Sequence, residues 1–341
     1  MLKYKHYNIK NMLETEKKSL KLIILVFAYN EENSIQRVIQ EIPSKINGVD
    51  QIQILVMDDA STDNTKINAQ KMGVEVISQK YNQGLAKLFT KGIEEALKRK
   101  ADLIVHTDGD NQYNQKQIND LIQPLIKKEV EVVIGNRQIK KLKFMKRGNK
   151  YGNLLGNFIF NKMLKLKNID FSSGFRAYTK QATLNFIIFS NHTYTHESII
   201  QLVNQGQKII SIPIEFKERK NGQSRLIKNL LTHINKSLFV IIRSILYYKP
   251  LKTFSSIGTI FFSLGFLIGL RFLYFYFTQK SSGHIQSLIL ASIFIIISFL
   301  MIIVGFISDL INKNSQINHQ ILYEIRKEKY SRKKDSQKPS L

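Results

Sequence analysis

The chain has 341 residues, and its 51 Lys and Arg outweigh its 26 Asp and Glu to give a formal net charge of +25. An excess of this size favours polyanionic partners, namely nucleic acid, anionic lipid headgroups or phosphate-bearing substrates. The absence of cysteine excludes disulfides, Fe–S clusters and thiolate zinc sites. Residues 1–19 read as a polar extension without the apolar core of a secretory signal.

Short apolar runs alternate with amphipathic stretches from residue 20 to about residue 222. Five runs predict strands, several of them buried on both faces: residues 20–29, 51–59, 74–78, 102–108 and 131–135. Four stretches between the runs predict helices: residues 33–42, 63–72, 85–100 and 115–128. This alternation predicts an α/β fold with a mainly parallel sheet.

Polar residues directly after the predicted strands mark the candidate site. In open parallel sheets, ligands bind beyond the carboxyl ends of the strands. Four runs end on such residues: Tyr29-Asn30-Glu31, Asp58-Asp59, Asp108-Gly109-Asp110 and Asn136-Arg137. We therefore expect these side chains to meet at one edge of the sheet.

Asp108 and Asp110 are separated only by Gly109, directly after an apolar run. Two carboxylates so close together repel each other, so the pattern indicates a cation between them. Their hard oxygen ligands suit Mg²⁺ or Mn²⁺ bridging a diphosphate, and a glycine lets the backbone approach a ligand closely. An ordinary surface turn is the alternative, and the position after a buried strand favours the metal.

Asp58 and Asp59 repeat this arrangement after another predicted strand. They are candidates to accept hydrogen bonds from a base or a ribose. Capping of the next helix by the Ser61-Thr62-Asp63 segment is the alternative. Capping accounts for part of the stretch but not for two adjacent acids at the end of a strand.

Two apolar stretches near the end of the chain predict membrane spans. Residues 255–278 are interrupted only by Arg271, and residues 287–308 carry no charge. Each provides the roughly 20 apolar residues that cross a bilayer. A pair of buried core helices is the alternative, but two such stretches in succession in an otherwise charged chain disfavour it.

Basic residues predict the orientation of these spans. The loop between them has only Lys280, whereas residues 312–341 carry eight basic residues. The positive-inside tendency therefore predicts a cytoplasmic tail, with the N-terminal domain on the same side of the cell membrane. Residues 226–254 mix apolar and basic residues, which favours amphipathic juxtamembrane helices on anionic lipids over a solvated basic linker.

Two glycine patterns predict close helix packing. Gly148, Gly152 and Gly156 recur every four residues, and Gly265 and Gly269 form a small-xxx-small pair in the first predicted span. Contact between the first group and an acceptor is the alternative for that pattern.

Several motifs in register resemble glycosyltransferase family 2. They are "VFAYNEE" (26–32), "VMDDASTDNT" (56–65), "NQGLAKLFTKG" (82–92), "HTDGDNQY" (106–113) and "VIGNR" (133–137). Further motifs resemble the polyprenyl-phosphate branch, which includes dolichyl-phosphate mannose synthase: "DFSSGFRAY" (170–178), "YTHES" (194–198) and "PIEFKERKNGQSR" (213–225). The resemblance covers residues 20–225, which it marks as the catalytic domain, and implies the nucleotide-diphospho-sugar-binding GT-A fold.

The resemblance also implies roles for individual residues. Those at the nucleoside would be Tyr29, Glu31, Met57, Asp58 and Asp59. Asp108 and Asp110 would hold Mg²⁺ or Mn²⁺, with Gly109 at the sugar diphosphate. The arginines at the phosphates of donor or acceptor would be Arg137, Arg176, Arg219 and Arg225, and Glu197 would orient the sugar or assist the acceptor. Phe27 departs from the proline, and Arg225 from the lysine, that many relatives have.

The implied function is transfer of one sugar from a UDP- or GDP-sugar to a polyprenyl phosphate, undecaprenyl or dolichyl phosphate, at the cytoplasmic membrane face. The ionised lipid phosphate would be the nucleophile. Transfer to a hydroxyl of a lipid, glycan or protein, with Glu197 as base, is an alternative.

Two further alternatives are disfavoured. A processive polysaccharide synthase usually has a Gln-x-x-Arg-Trp motif, and this chain has no tryptophan. A basic membrane-tethered scaffold or nucleic-acid binder would bring phosphate backbones against acids at the strand ends, and no stacking motif is evident. We therefore expect no nucleic-acid partner, whereas association into a homo-oligomer stays open.

Overall fold

The computed structural model describes residues 19–184, 186, 188, 194–219, 250–278 and 285–331. Predictions for Arg225, for Lys280, for most of the juxtamembrane segment and for the two ends of the chain lie outside the described residues. The chain divides into two compact units. One consists of Met1–Met145, Lys167–Gln223 and Tyr330–Leu341, and the other of Lys146–Leu166 and Ser224–Lys329.

In the described part of the first unit, seven strands form one sheet in the order β3-β2-β1-β4-β6-β5-β7. The strands are β1 (Lys21–Ala28), β2 (Gln51–Asp58), β3 (Glu75–Ser78), β4 (Leu103–Asp108), β5 (Val132–Asn136), β6 (Arg176–Thr179) and β7 (Ile209–Pro213). The sheet is parallel except at β6, which runs antiparallel to both β4 and β5. The predicted α/β fold with a mainly parallel sheet is confirmed.

The helices of this unit lie between the strands in sequence. They are α1 (Ile35–Glu41), α2 (Thr65–Gln70), α3 (Leu85–Lys98), α4 (Ile118–Ile126), α6 (Lys180–Thr183) and α7 (Thr195–Asn204). Short 3-10 turns cover Gln115–Gln117 and Ile139–Lys141. The structure describes α5 (Arg147–Leu164), α8 (Pro250–Phe277) and α9 (Ile285–Ser331) as the helices of the second unit, with the last residues of α9 assigned to the first.

The hydrophobic core is formed by the central strands and by the helices that pack on them. Every residue of β1 from Leu22 onward is buried, as expected for a parallel strand covered on both faces. Helix α3 turns a buried face toward β1 and β2, where a Cβ at Gly92 would lie 3.1 Å from the side chains of Leu25 and Phe27. Helix α3 thereby packs closely on β1 and β2.

Each of the five predicted strands and four predicted helices forms, with ends shifted by at most a few residues. Strands β6 and β7 and helices α5, α6 and α7 were not predicted. β6 has only four residues and begins with a charged arginine, so no alternation of apolar residues marks it.

Helices α8 and α9 are each long and apolar enough to cross a membrane, by length and composition. Helix α9 continues well past residue 308, where the second predicted span ends. Its 47 residues correspond to roughly 70 Å of helix, about twice the hydrocarbon thickness of a bilayer. The helix therefore has room for a span and a long extension beyond it.

The two glycine patterns behave differently. A Cβ at Gly265 would lie 2.9 Å from the carbonyl oxygen of Ala291, so α8 and α9 pack closely there. Among the described residues, no atom lies within 4 Å of a Cβ placed at Gly269. Within the described part of the chain the same holds for Gly152 and Gly156 in α5, so the close packing predicted for that pattern stays a prediction.

Candidate active site

The ends of three strands lie side by side at one edge of the sheet. Ala28 at the end of β1 pairs with Asp58 at the end of β2, and Phe27 pairs with Asp108 at the end of β4. The loops that follow β1 and β2 are joined, since the Asn30 N–H donates to Ser61 Oγ at 2.9 Å. The polar residues that follow these strands thus share one edge.

Gly109 lets the Asp108–Asp110 turn lie directly on the backbone of β1. Its N–H donates to the carbonyl of Phe27 at 2.8 Å, and a Cβ at this position would lie 3.1 Å from the same oxygen. Its own carbonyl accepts a hydrogen bond from Ser34 Oγ at 2.8 Å. The two carboxylates are therefore held on a turn that a larger residue would displace.

The Asp108–Asp110 pair is electrostatically unfavourable as it stands. Burial raises the pKa of the Asp108 carboxyl, and the charge of Asp110 beside it raises that pKa further. Burial also raises the pKa of Asp110, although the Gln112 N–H and the Arg219 guanidinium act in the opposite direction. A bound cation would remove this cost by favouring the ionised form of both groups.

Gly174, in the loop before β6, lies against the Asp108 carboxylate. A Cβ at Gly174 would lie 2.7 Å from Oδ2 of Asp108, so this position leaves room for the carboxylate only as glycine. The Tyr113 hydroxyl accepts a hydrogen bond of 2.8 Å from the Gly174 N–H and fixes the loop. Burial raises the pKa of Tyr113, which keeps the phenol protonated.

Arg219 is brought to the acidic pair by a short pairing of two loops. Tyr113 and Phe216 form an antiparallel bridge, and the Lys217 N–H donates to the Gln112 carbonyl at 2.7 Å. The Arg219 guanidinium is ion-paired with Glu31 and lies 3.9 Å from Oδ2 of Asp110. The structure thus unites three predicted site residues: Arg219, Glu31 and Asp110.

Arg137 follows β5 and forms a two-point ion pair with Asp170. Its Nε and Nη2 donate to the two carboxylate oxygens at 2.8 and 2.9 Å, and its guanidinium lies 5.4 Å from the centre of the Phe216 ring. Burial lowers the pKa of Arg137, but the Asp170 carboxylate outweighs burial and raises the pKa overall. Arg137 is thus a fixed, permanent positive charge near Asp108.

Three residues predicted at the nucleoside are buried. Met57 is fully buried in β2 and belongs to the core, so it does not line an open pocket. Asp59 caps the start of α3, because its carboxylate accepts the N–H groups of Gln83 and Gly84, each at 3.0 Å. Asp58 accepts the Ser61 N–H at 3.1 Å. Backbone N–H groups therefore occupy both acids. The capping predicted for the Ser61-Thr62-Asp63 segment is a separate contact, in which Asp63 Oδ1 accepts the Thr65 N–H at 2.9 Å at the start of α2.

Tyr29 and Glu31 remain accessible from the same edge of the sheet. The Tyr29 side chain is 36% exposed, and Glu31 is partly exposed beside Arg219. An exposed aromatic ring next to a paired acid and arginine can stack on a base or a ribose.

Arg176 stabilises the packing of β6 against α7 and is not positioned to bind a phosphate. It is completely buried in β6, and its guanidinium donates to the carbonyls of Ser173, Phe171 and Thr195 at 2.8–3.0 Å. A fourth bond, of 3.0 Å, reaches Ser198 Oγ. The predicted contact of Arg176 with a phosphate is corrected on this ground, since these donors already hold the first turn of α7.

Glu197 lies in the first turn of α7, which a buried aromatic cluster supports. The two ring nitrogens of His106 lie 3.1 Å from the Tyr178 hydroxyl and 3.3 Å from the Tyr194 hydroxyl. The Tyr194 ring stacks on Phe89 with a centroid separation of 4.1 Å. Burial lowers the pKa of His106, so the ring stays neutral. Glu197 itself is partly exposed.

Sequence reasoning missed the residues that support the acidic pair. Asp170 and Gly174 lie within the quoted motif "DFSSGFRAY", and Tyr113 within "HTDGDNQY". A carboxylate partner for Arg137 could have been expected, because a buried arginine needs one. The sequence gave no sign that this partner is Asp170.

Comparisons with known proteins show the family of the chain. The sequence model of Glycosyl transferase family 2 matches residues 23–185. The chain is 32% identical to the UDP-N-acetylglucosamine–dolichyl-phosphate N-acetylglucosaminyltransferase of Methanococcus voltae, over 48% of this chain and 71% of that protein. The chain belongs to glycosyltransferase family 2. It is also 24% identical to the undecaprenyl-phosphate mannosyltransferase of Micrococcus luteus, over 61% of this chain and 88% of that protein.

The fold of this family 2 glycosyltransferase is also found among solved structures. The glucosyl-3-phosphoglycerate synthase from Mycobacterium tuberculosis, solved in complex with Mn²⁺, uridine diphosphate and glucosyl-3-phosphoglycerate, matches with a TM-score of 0.52 and 18% identity. The match covers 72% of this chain and 85% of that one. At this identity the likeness establishes the GT-A fold alone.

Proposed function

We propose that this glycosyltransferase moves one sugar from a nucleotide-sugar donor to a polyprenyl phosphate at the cytoplasmic face of the cell membrane. The observation that carries the proposal is the partly buried Asp108–Asp110 pair at the strand ends, with Arg219 3.9 Å from Asp110. Such a pair suits a divalent cation that also binds the donor diphosphate. The named relatives act on dolichyl phosphate and undecaprenyl phosphate, which supports a lipid phosphate as acceptor.

Asp108 and Asp110 fit a divalent cation, Mg²⁺ or Mn²⁺. Their pKa values are raised because both are buried close together, and Gly174 leaves the Asp108 carboxylate unobstructed. Among the described residues, no three His, Asp or Glu side chains form a metal cage, so the remaining ligands would be diphosphate oxygens and water. When bound, the cation would neutralise charge on the departing nucleoside diphosphate.

The acceptor needs no protein base. A phosphate monoester has a second pKa of about 6, so most of it is doubly ionised at neutral pH. One of its oxygens forms the new bond to the anomeric carbon as the bond from that carbon to the diphosphate breaks, and the nucleoside diphosphate leaves with the electron pair. The chain must align the two phosphates and offset their charge.

Arg219 and Arg137 supply that positive charge in different ways. Arg219 is held by Glu31 at the edge of the acidic pair, where a donor phosphate would come within its reach. Arg137 is immobilised by Asp170 and contributes a fixed field. Tyr29 would stack on the nucleoside of a UDP- or GDP-sugar, with Gly109 backing the diphosphate.

Transfer to a hydroxyl is the second candidate. Glu197 stays partly exposed in the first turn of α7, as a general base would. In that case its removal should reduce turnover about 10²–10⁴-fold, the range for general-base catalysis. With a phosphate nucleophile, Glu197→Gln should retain most of the activity.

The charge distribution supports the proposed orientation. Helix α9 carries basic residues beyond its apolar part, at Lys313, Arg326, Lys327 and Lys329. Basic residues that follow a span favour the cytoplasmic side. Two spans would then place the catalytic unit on the same side, where nucleotide sugars are made.

The test incubates membranes that contain the full chain with labelled UDP- and GDP-sugars and either a polyprenyl phosphate or the matching polyprenol. We expect label in the organic phase only with the phosphate, and only with Mg²⁺ or Mn²⁺. Asp110→Asn should lower the rate at least about 100-fold, since it removes charge stabilisation at the reacting diphosphate.

Glu129→Gln is the matched control, because Glu129 is an exposed acid between α4 and β5, and it should keep wild-type activity. If the wild type transfers label to the polyprenol and Glu197→Gln does not, the acceptor is a hydroxyl and the proposal is wrong. Transfer that survives a chelator at full rate would remove the role assigned to Asp108 and Asp110.

A further inference from the structure

Beyond its apolar span, helix α9 carries a row of exposed apolar residues. Asp309 is the first charged residue of the helix, and residues 310–331 extend the helix past it. Leu310, Ile317 and Ile321 in this extension are 65%, 55% and 53% exposed. Contact of such side chains with lipid is favourable, whereas contact with water is not. The extension therefore has an apolar surface that requires a cover outside the hydrocarbon layer.

This row follows the heptad spacing of a coiled coil. Leu310 and Ile317 occupy d positions, and Asn314 and Ile321 occupy a positions, so that steps of four and three residues alternate. These four residues are here called the α9 seam. The same register continues back into the span, where its a and d positions are all exposed Ile or Leu: Ile289, Ile293, Ile296, Leu300, Ile303 and Ile307. The repeat is thus sustained over residues 289–321, which a surface that only faced lipid would not require.

The opposite side of α9 packs on the chain itself. Ala291, Ser298 and Gly305 recur every seven residues at f positions and are buried. A Cβ at Gly265 of α8 would lie 2.9 Å from the Ala291 carbonyl oxygen, and one at Gly258 would lie 3.0 Å from that of Ser298. Because an f position points away from the partner helix of a coiled coil, this packing leaves the a and d positions open.

The two sides of the extension differ in polarity in an unusual sense. Its f positions Asn312 and His319 are polar and less exposed than the apolar residues of the α9 seam. The extension thus has polar residues on its covered side and apolar residues on its exposed side. A helix that packed on its own chain alone would show the reverse.

We propose that the α9 seams of two copies of this chain pair as a parallel two-stranded coiled coil. Both copies cross the same bilayer through α9 in the same orientation, so their extensions leave the membrane side by side and in register. Asn314 is the single polar residue at the a and d positions from Ile289 to Ile321, and one polar Asn at an a position specifies register and the number of strands. The inference depends on α9 and not on the reaction assigned above.

The charges at the end of the seam suit this pairing. Glu324 and Glu328 take the next d and a positions, and Lys327 takes the g position between them. Lys327 lies 3.4 Å from Glu324 of its own helix. In a parallel pair an a residue packs beside the g residue of the other helix, so Glu328 of one copy meets Lys327 of the second copy.

Lipid is a poorer cover for the α9 seam. Helix α9 is continuous from Ile285 to Ser331 and contains no proline. It therefore has no kink that would turn the extension from the direction of the span to lie along the bilayer surface.

The absence of cysteine from the chain allows a direct test. Ile317→Cys places a single thiol in the α9 seam, and Gln316→Cys places one at the adjacent, exposed c position. Membranes that contain the full chain at low expression are oxidised with copper phenanthroline. We expect covalent dimers of Ile317→Cys and none of Gln316→Cys, because a disulfide needs Cβ atoms roughly 4 Å apart.

The mass of the chain in a mild detergent, measured by light scattering, is the second readout. We expect two copies for the wild type and one for Ile317→Glu, since this change sets two carboxylates against each other in the α9 seam. Gln316→Glu adds the same charge outside the seam and should keep two copies. An unchanged helical signal in circular dichroism would show that both variants fold.

Three results would overturn the proposal. Equal linkage of the two cysteine variants would mean random collision or contact through another face. No linkage, with the mass of one copy for the wild type, would mean that a second copy does not cover the seam. A mass of three or more copies would contradict a two-stranded coil.

Discussion

At the scale of single residues, the acidic pair at the centre of the site is electrostatically unfavourable without a cation. Asp108 and Asp110 are held together by a turn in which a Cβ at position 109 would lie 3.1 Å from the Phe27 carbonyl oxygen, and the pKa of each is raised by burial. Arg219 offsets part of this cost from 3.9 Å. Functional sites commonly carry perturbed pKa values of this kind.

The raised pKa of Asp108 predicts how stability varies with pH. Such a carboxyl contributes most to stability below its ordinary pKa of about 4, and this contribution is lost as the pH rises through the raised folded-state value. Without metal, the free energy of unfolding of Asp108→Asn should therefore be about 1 kcal/mol higher than that of the wild type at about pH 8. This corresponds to an increase of roughly 2–4 °C in Tm. At about pH 4 the two should agree.

Thermal unfolding of the detergent-solubilised chain in a chelator, followed by circular dichroism, measures this difference. Glu129→Gln removes an exposed acid and should leave the melting temperature unchanged at both pH values. A wild-type protein as stable as Asp108→Asn at the higher pH would contradict the electrostatic account of the pair.

At the scale of secondary-structure elements, α7 depends on β6 for its position. Arg176 in β6 donates to the Thr195 carbonyl and to Ser198 Oγ, both at 3.0 Å, and both acceptors belong to the first turn of α7. His106 in β4 contacts Tyr194, which directly precedes α7, at 3.3 Å. Two strands of the sheet therefore hold the turn that carries Glu197.

Arg176→Met should strongly destabilise the catalytic unit. The substitution keeps most of the volume but leaves buried carbonyl oxygens without donors, at roughly 1–3 kcal/mol for each unsatisfied group. We expect a lower midpoint in urea for the detergent-solubilised chain. Arg37→Met is the control, because Arg37 makes an exposed i,i+4 pair with Glu41 at 2.8 Å, and such pairs contribute about 0.5 kcal/mol or less. Equal midpoints for the two variants would show that Arg176 is not a packing residue.

At the scale of the whole molecule, the chain combines a catalytic unit with a unit that contains two helices of membrane-spanning length. Within the second unit, α8 and α9 approach each other at Gly258 and Gly265, where a Cβ would lie 3.0 and 2.9 Å from carbonyl oxygens of α9. Small residues allow such close approach of two helices. In a membrane this matters because helix association is driven by van der Waals packing and not by the hydrophobic effect.

Gly265→Leu should therefore separate α8 from α9, whereas Gly269→Leu on the same helix should not. The first substitution meets backbone and side-chain atoms of α9, whereas the second meets no atom of the residues that the structure describes within 4 Å. Overpacking of this kind costs roughly 1–3 kcal/mol, so Gly265→Leu should lower the temperature at which the detergent-solubilised chain loses its helical signal. Similar temperatures for both variants would contradict the observed packing.

The sequence by itself determined β1 to β5, α1 to α4, the two apolar helices near the end of the chain and the residues at the strand ends. The apolar runs that form β1, β2 and β4 and the apolar lengths of α8 and α9 are local patterns, because each depends on neighbours within one element. Asp108, Gly109 and Asp110 were evident for the same reason, since they directly follow the run that forms β4.

Only the tertiary structure decided which distant residues meet. Arg137 pairs with Asp170, 33 residues away, and Arg219 with Glu31, 188 residues away. These contacts follow from the insertion of the antiparallel strand β6 between β4 and β5 and from the pairing of Phe216 with Tyr113. The tertiary structure also decided that Arg176 and Met57 are buried. Burial of a residue depends on the elements that pack on its strand, and the strand's own sequence does not specify them.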